Sequence, residues 1–248
     1  MIIVQISDLH IGSQFLEDKF DLLVQEINEL NPDTIVITGD LTNEGLMKEY
    51  QKCKSLLSKF NTQKIIIMPG NHDYRNTGYL LFKKFFPFES VNELSDDVVL
   101  VTVGTARPDR NNGEVGYRQN IWLDRTMKKY KNKIKIVAMH HHLIAIPDTG
   151  SDQLTVVDAG DVLRTILDTH VDVVLCGHKH RPWAWNFRNL TVVNAGTATS
   201  ERVRGFFENT YNILTILDKK IDVDLKIVGG KRLSMDEMVN NYSLYDNE

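Results

Sequence analysis

A chain of 248 residues that is 42% hydrophobic and 25% charged is long enough for one sizeable core, which excludes a disordered, collagen-like or small disulfide-bonded protein. Its 29 Lys and Arg against 33 Asp and Glu leave a net charge of −4, so no broad basic face is available to duplex nucleic acid and such a partner would need a local patch. Cys53 and Cys176 are widely separated and read as buried free thiols of a reducing compartment.

The chain opens on Met1-Ile2-Ile3-Val4-Gln5-Ile6, which reads as a first strand and not a signal peptide, and no run is long enough to span a bilayer. A cytoplasmic location is the expectation. Phe20, Leu23, Val24, Ile27 and Leu30 follow at helical spacing, stopped by Asn31-Pro32, before a second apolar run over 34–38. The helical period returns in Leu46, Tyr50, Cys53, Leu57 and Phe60, then a third strand is predicted over 64–68. Strands follow over 98–103, 134–139 and 173–176, with helices around Trp122, Leu123, Met127 and Tyr130 and around Val162, Leu163, Ile166 and Leu167. The last third changes rhythm. The runs 183–187 and 190–193 flank Arg188-Asn189, and 211–217 and 221–228 flank Asp218-Lys219-Lys220, which reads as antiparallel hairpins. Gly229-Gly230 looks like a hinge, and Ser234-Met235-Asp236-Glu237 is a capping-box pattern able to start a short helix. Met235, Met238, Val239 and Tyr242 then need cover, from the core or from a second subunit in a possible homodimer.

Strands that are apolar nearly throughout imply burial on both faces. Together with the terminal hairpins they predict an α/β fold, a four-layer α/β/β/α sandwich of two mixed sheets flanked by helices. Trp183 and Trp185 alternate along one strand and either pack a core or line a site mouth.

The residues able to do chemistry fall just past strand ends: Asp8-Leu9-His10, Gly39-Asp40, Gly70-Asn71-His72-Asp73, His140-His141-His142 and Gly177-His178-Lys179-His180. Turns beyond the carboxyl ends of strands can converge on one point. Imidazoles and carboxylates without cysteine suit Mn, Fe, Co or Zn and argue against a structural thiolate zinc site. Asp8 with His10, and His178 with His180, are two residues apart, so each pair can grip one ion jointly or the latter one ion each.

The ordered blocks DLH, GD, GNHD, a histidine after a strand, and GHKH over residues 8–180 resemble the calcineurin-like metallophosphoesterases. Arg75 in GNHDYR, the stretch Gln119-Asn120-Ile121-Trp122-Leu123 and Asn194-Ala195-Gly196-Thr197 look most like the class III cyclic-nucleotide phosphodiesterase and glycerophosphodiesterase branch. The resemblance implies a binuclear metal centre: Asp8, His10 and His180 hold one ion, Asp40 bridges, and Asn71, His140 and His178 hold the second. His141 and His142 are surroundings or surface, in a turn reading HHHLIAIP where many relatives have HHPP. It also implies hydrolysis of a small-molecule phosphodiester by in-line attack of a metal-bridging hydroxide. His72 would protonate the leaving oxygen or stabilise phosphoryl charge, with Asp73 orienting it or capping a helix. A monoesterase or phosphoprotein phosphatase, a nuclease, and a non-catalytic scaffold are the alternatives, the last expected to have lost ligands. Residues 1–230 would form the metallophosphoesterase domain and 231–248 a C-terminal tail with a possible short helix. The segment 107–117, rich in Arg, Asn and Gly, is expected as a flexible loop for gating or substrate recognition.

Overall fold

A computed structural model describes residues 1–88, 90–149 and 156–241. Among these residues twelve strands form two six-stranded mixed sheets. In the first, β1 (Ile2–Ile6), β2 (Thr34–Ile37) and β3 (Ile65–Ile67) run parallel, and β10 (Thr210–Leu217), β11 (Lys220–Ile227) and β12 (Arg232–Ser234) extend the β1 edge antiparallel. In the second, β5 (Val98–Val103), β6 (Ile134–Met139), β7 (Val173–Cys176) and β9 (Leu190–Asn194) are parallel; β4 (Val91–Glu93) and β8 (Trp183–Phe187) close the edges antiparallel.

Alternation along the strands divides the core into three layers of side chains. Ile3, Val36, Leu100, Ile136, Leu175 and Leu214 meet between the sheets. Val4, Ile6, Ile35 and Ile37 point the other way, onto α1 (Glu17–Leu30) and α2 (Met47–Leu57) through Phe20, Leu23, Tyr50 and Cys53. Val99, Val101, Val137 and Val174 likewise meet α4 (Tyr117–Met127) and α5 (Ala159–Asp168) through Leu123, Met127, Val162 and Ile166. The four-layer sandwich follows directly from strands buried on both faces.

Four described elements go beyond the sequence expectation: β4, β12, α3 (Gly78–Phe85) and a short 3-10 turn over His72–Tyr74. The helix expected around Trp122 to Tyr130 begins earlier, at Tyr117, and ends at Met127. Gly229-Gly230 is no hinge but the tight turn between β11 and β12, with Gly230 N donating to the Ile227 carbonyl at 2.9 Å. Beyond it α6 (Met235–Asn241) buries Met235 and Met238 in the layer between the sheets; Tyr242 lies outside the described residues. Trp183 packs in that same layer at 7% exposure with Arg181 over its ring, so it is core. No helix among the described residues is long and apolar enough to cross a membrane.

Candidate metal centre

The turns after β1, β2, β3, β6 and β7 converge at one end of the sandwich, because the parallel strands bring their carboxyl ends to the same edge. Adjacent strands space the turns so closely that the backbone must yield: a Cβ on Gly70 would lie 2.1 Å from Asp40 Oδ1, and Gly39, at φ +97°, takes a conformation that other residues rarely adopt. Five non-glycine residues of the site are also left-handed: Asp8 (φ 55°), His10 (48°), Asp40 (53°), His178 (76°) and His180 (56°).

Two groups of donors result. Nε2 of His10 and His180 approach to 2.9 Å, with Asp8 Oδ1 at 3.3 Å from His180 Nε2 and 3.9 Å from His10 Nε2. On the other side, Asn71 Oδ1 lies 3.1 Å from His140 Nε2 and 2.9 Å from His178 Nδ1. Asp40 Oδ2 stands between them, 3.7 Å from His10 Nε2 and 3.4 Å from His140 Nε2. All seven sequence-predicted donors are therefore brought together.

The surroundings fix which atoms face inward. His178 N donates to Asp8 Oδ2 at 3.0 Å and His72 N to Asp40 Oδ1 at 2.8 Å, so each carboxylate keeps one oxygen for the centre. His140 Nδ1 donates to the Thr38 carbonyl at 2.7 Å and His180 Nδ1 to that of Arg202, aiming each Nε2 inward. The donor set fits a cation, since Asp8 Oδ1 is buried and makes no hydrogen bond although oriented at two imidazoles.

Electrostatics agree with the grouping. Burial opposes ionisation of Asp40, yet His140 and His72 hold its carboxyl well below the usual range; Asp8 is lowered in the same way, chiefly by His180. Burial also opposes charge on His140, but Asp40 and Asp8 outweigh it and raise its pKa to about 9. Burial and the neighbouring His180 push His10 down to about 3, and burial with His141 and His140 holds His178 well below its ordinary value. Without metal the cluster therefore carries a proton on His140, whose Nε2 faces Asn71 Oδ1 and Asp40 Oδ2. The cysteines take no part: both are buried in apolar clusters, and burial pushes Cys176 up to about 12.

His72 and Asp73 are placed differently from each other. His72 Nδ1 donates to the Asn43 carbonyl at 2.7 Å, while its Nε2 accepts from the Arg75 guanidinium at 3.1 Å. Donation of a proton from Nε2 therefore requires that Arg75 contact to break and a proton to be taken up there first. Asp73 does not orient the His72 ring. Its carboxylate instead accepts from the backbone N–H groups of Gly70 (2.9 Å), Leu41 (3.2 Å) and Thr42 (2.9 Å) and from the Thr42 hydroxyl (2.8 Å), clamping the Asp40 turn to the Asn71 turn. Backbone donors, spaced across a second strand, outcompete a single ring for that carboxylate.

His141 and His142 are buried, not on the surface. His141 Nε2 donates to the Asn111 carbonyl at 3.1 Å and Nδ1 meets Thr105 Oγ1 at 2.8 Å; His142 stacks on His178 with ring centroids 5.8 Å apart. Segment 107–117 is accordingly held rather than loose: Asp158 accepts from Val115 N and Gly116 N, and Asn111 Oδ1 accepts from Asn71 Nδ2 at 3.5 Å. Sequence reasoning missed Asn43 and Thr38, because both act through backbone carbonyls, and it placed Asn111 in a recognition loop without its contacts to Asn71 and His141. A cleft of about 210 Å³ opens over the donors, lined also by Arg75, Asn111, Arg202 and Arg204.

The family model for calcineurin-like phosphoesterases matches residues 1–182, which include every donor. The chain belongs to the calcineurin-like phosphoesterase family. This calcineurin-like phosphoesterase is a metal-dependent phosphoric-ester hydrolase by that membership, with His and Asp groups that could hold metal. It is 26% identical over 218 residues to a probable glycerophosphodiester phosphodiesterase of Arcobacter nitrofigilis, covering 81% of this chain and 80% of that protein. To the 3',5'-cyclic adenosine monophosphate phosphodiesterase of Escherichia coli K12 it is 27% identical over 210 residues, with 76% and 73% covered. The purple acid phosphatase of yellow lupin (Lupinus luteus) seeds shares the fold, with a TM-score of 0.75 at 13% identity over 94% of this chain. The chain spans about half, 52%, of that phosphatase.

Proposed function

We propose that this phosphoesterase is a binuclear-metal phosphodiesterase acting on small-molecule phosphodiesters of cyclic-nucleotide or glycerophosphodiester type. The observation that carries the reading is Asp40 Oδ2, one carboxylate oxygen shared by two donor groups, His10 on one side at 3.7 Å and His140 on the other at 3.4 Å. Asp8, His10 and His180 would hold one ion and Asn71, His140 and His178 the other, with Asp40 within reach of both groups. Ions of Mn, Fe, Zn or Co held there would supply Lewis-acid polarisation of the phosphoryl group and activation of a water for in-line attack.

The chain's own residues do the rest. Asn71, being neutral, leaves the centre a positive remainder suited to a monoanionic diester. Arg75, held by Glu44 at 2.8 Å and by His72, places a guanidinium on the cleft wall to meet charge on the phosphoryl oxygens. His72 positions that guanidinium while their contact lasts; once it breaks and Nε2 takes up a proton from water, that nitrogen can pass the proton to the leaving oxygen. Asp73 keeps the Asp40 and Asn71 turns in register. A complete donor set favours an enzyme over a scaffold, and the two free thiols support a cytoplasmic location.

The test is hydrolysis of bis(p-nitrophenyl) phosphate against p-nitrophenyl phosphate by metal-stripped protein reconstituted with Mn, Fe, Zn or Mg in turn. Diester preference restored by Mn or Fe is the expected result. Monoester preference, or no turnover at full two-metal occupancy, overturns the reading.

A further inference from the structure

The wall of the cleft carries more positive charge than a monoanionic diester needs. Arg75, Arg202 and Arg204 all line it, in a chain whose net charge is −4. Arg75 is engaged by Glu44 and His72. Arg202 and Arg204 form no ion pair among the described residues, and the acidic Glu201 and Glu208 beside them do not line the cleft.

Their segment is built, not loose. The Arg202 carbonyl accepts from His180 Nδ1, Arg202 N donates to Ser200 Oγ at 3.2 Å, and Glu201 N donates to the Gln14 carbonyl at 3.1 Å. Beyond the arginines, Arg204 forms an antiparallel bridge with Phe206, whose ring is buried between the sheets. Both guanidiniums thus spring from a backbone anchored on either side, which lowers the ordering cost of binding an anion. Guanidinium is also the cation whose planar donors match phosphate oxygens in pairs. Two like charges on residues lining one cleft favour a multiply charged anion, whose attraction to both offsets their mutual repulsion.

We propose that Arg202 and Arg204 form an anion subsite for a second phosphate group on the substrate, so that the preferred substrates are phosphodiesters bearing an additional phosphate on the group attached to the scissile phosphorus. The proposal rests on the phosphodiesterase reading above and narrows its substrate class.

Two matched probes test it: thymidine 5'-(p-nitrophenyl phosphate) and the same compound phosphorylated at its 3'-hydroxyl. They release the same p-nitrophenolate, so the ratio of their kcat/KM values cancels general losses of activity. The wild-type enzyme loaded with Mn is expected to favour the 3'-phosphorylated probe by at least about tenfold, a ratio that shrinks from about 50 mM to about 0.5 M salt. In Arg202→Gln/Arg204→Gln the ratio falls to about one, and in Arg202→Lys/Arg204→Lys part of it returns. A wild-type ratio near one, or an unchanged ratio in the glutamine variant, overturns the subsite while leaving the phosphodiesterase reading intact. Absence of turnover of both probes overturns that reading instead. Calorimetric binding of the two probes then decides the subsite: tighter binding of the 3'-phosphorylated probe, lost in the glutamine variant, supports it, and equal affinity overturns it.

Discussion

The two halves of the donor cluster look alike and differ in what they ask of protons. On the Asp8, His10 and His180 side the carboxyl of Asp8 is held below its usual range, and His10 is driven down to about 3, so that ring is neutral and has no extra proton to release. On the Asn71, His140 and His178 side the oxygen donor is a neutral amide and His140 holds its proton up to about 9. The halves share Asp40, yet only the second must lose a proton from His140 before it can take an ion. Similar donor counts therefore do not imply similar affinities near neutral pH.

Removing the shared group should erase the distinction. Asp40→Ala is expected to lower kcat by at least about 10³-fold and to reduce metal content on both sides, as read by elemental analysis after dialysis. Retention of one tightly bound equivalent would show that the halves are independent. Breaking one half at a time comes next in size. Asn71→Ala and His140→Ala should each lower kcat by at least about 100-fold with loss of the second ion only. In His180→Ala, which leaves the second half, metal affinity should rise about tenfold per pH unit up to about 9, the value set by His140; in Asn71→Ala that steep rise should be absent. The stability sign is opposite. A pKa raised in the folded, metal-free chain means that the His140 contribution is complete below its ordinary value of 6.5 and is lost as pH rises through about 9, so melting temperature without metal should fall over that window, less so in His140→Asn. The smallest effect sharpens the comparison at its edge. Asn111→Ala removes the acceptor 3.5 Å from Asn71 Nδ2 and should lower kcat about threefold without touching the first half.

Much of this centre is legible in the sequence because each donor immediately follows a continuous apolar run, and parallel strands must deliver those ends to one edge. Length defeats prediction elsewhere: β4 and β12 have three residues each, too few to show a period of two. In α3, Tyr79, Leu80, Leu81, Phe82 and Phe85 surround the helix with apolar groups, of which only Phe82 is fully buried, so no stripe marks it. The partner of Asp73 could not be read either. Three of its four donors are backbone N–H groups, two of them on Leu41 and Thr42 about thirty positions away, and peptide groups carry no residue-type signal. Arg202 and Arg204 sit in a segment without periodicity, and only the fold brings them beside His180.

Left-handed backbone at Asp8, His10, Asp40, His178 and His180 sets catalysis against durability in this chain. Glycine would occupy any of those positions with less conformational strain, each strained position costing on the order of 1–3 kcal/mol. Selection for heat resistance alone would therefore erode the donors one by one, and a hardened descendant of this sequence would be a sandwich with a glycine-rich rim and nothing to hold an ion.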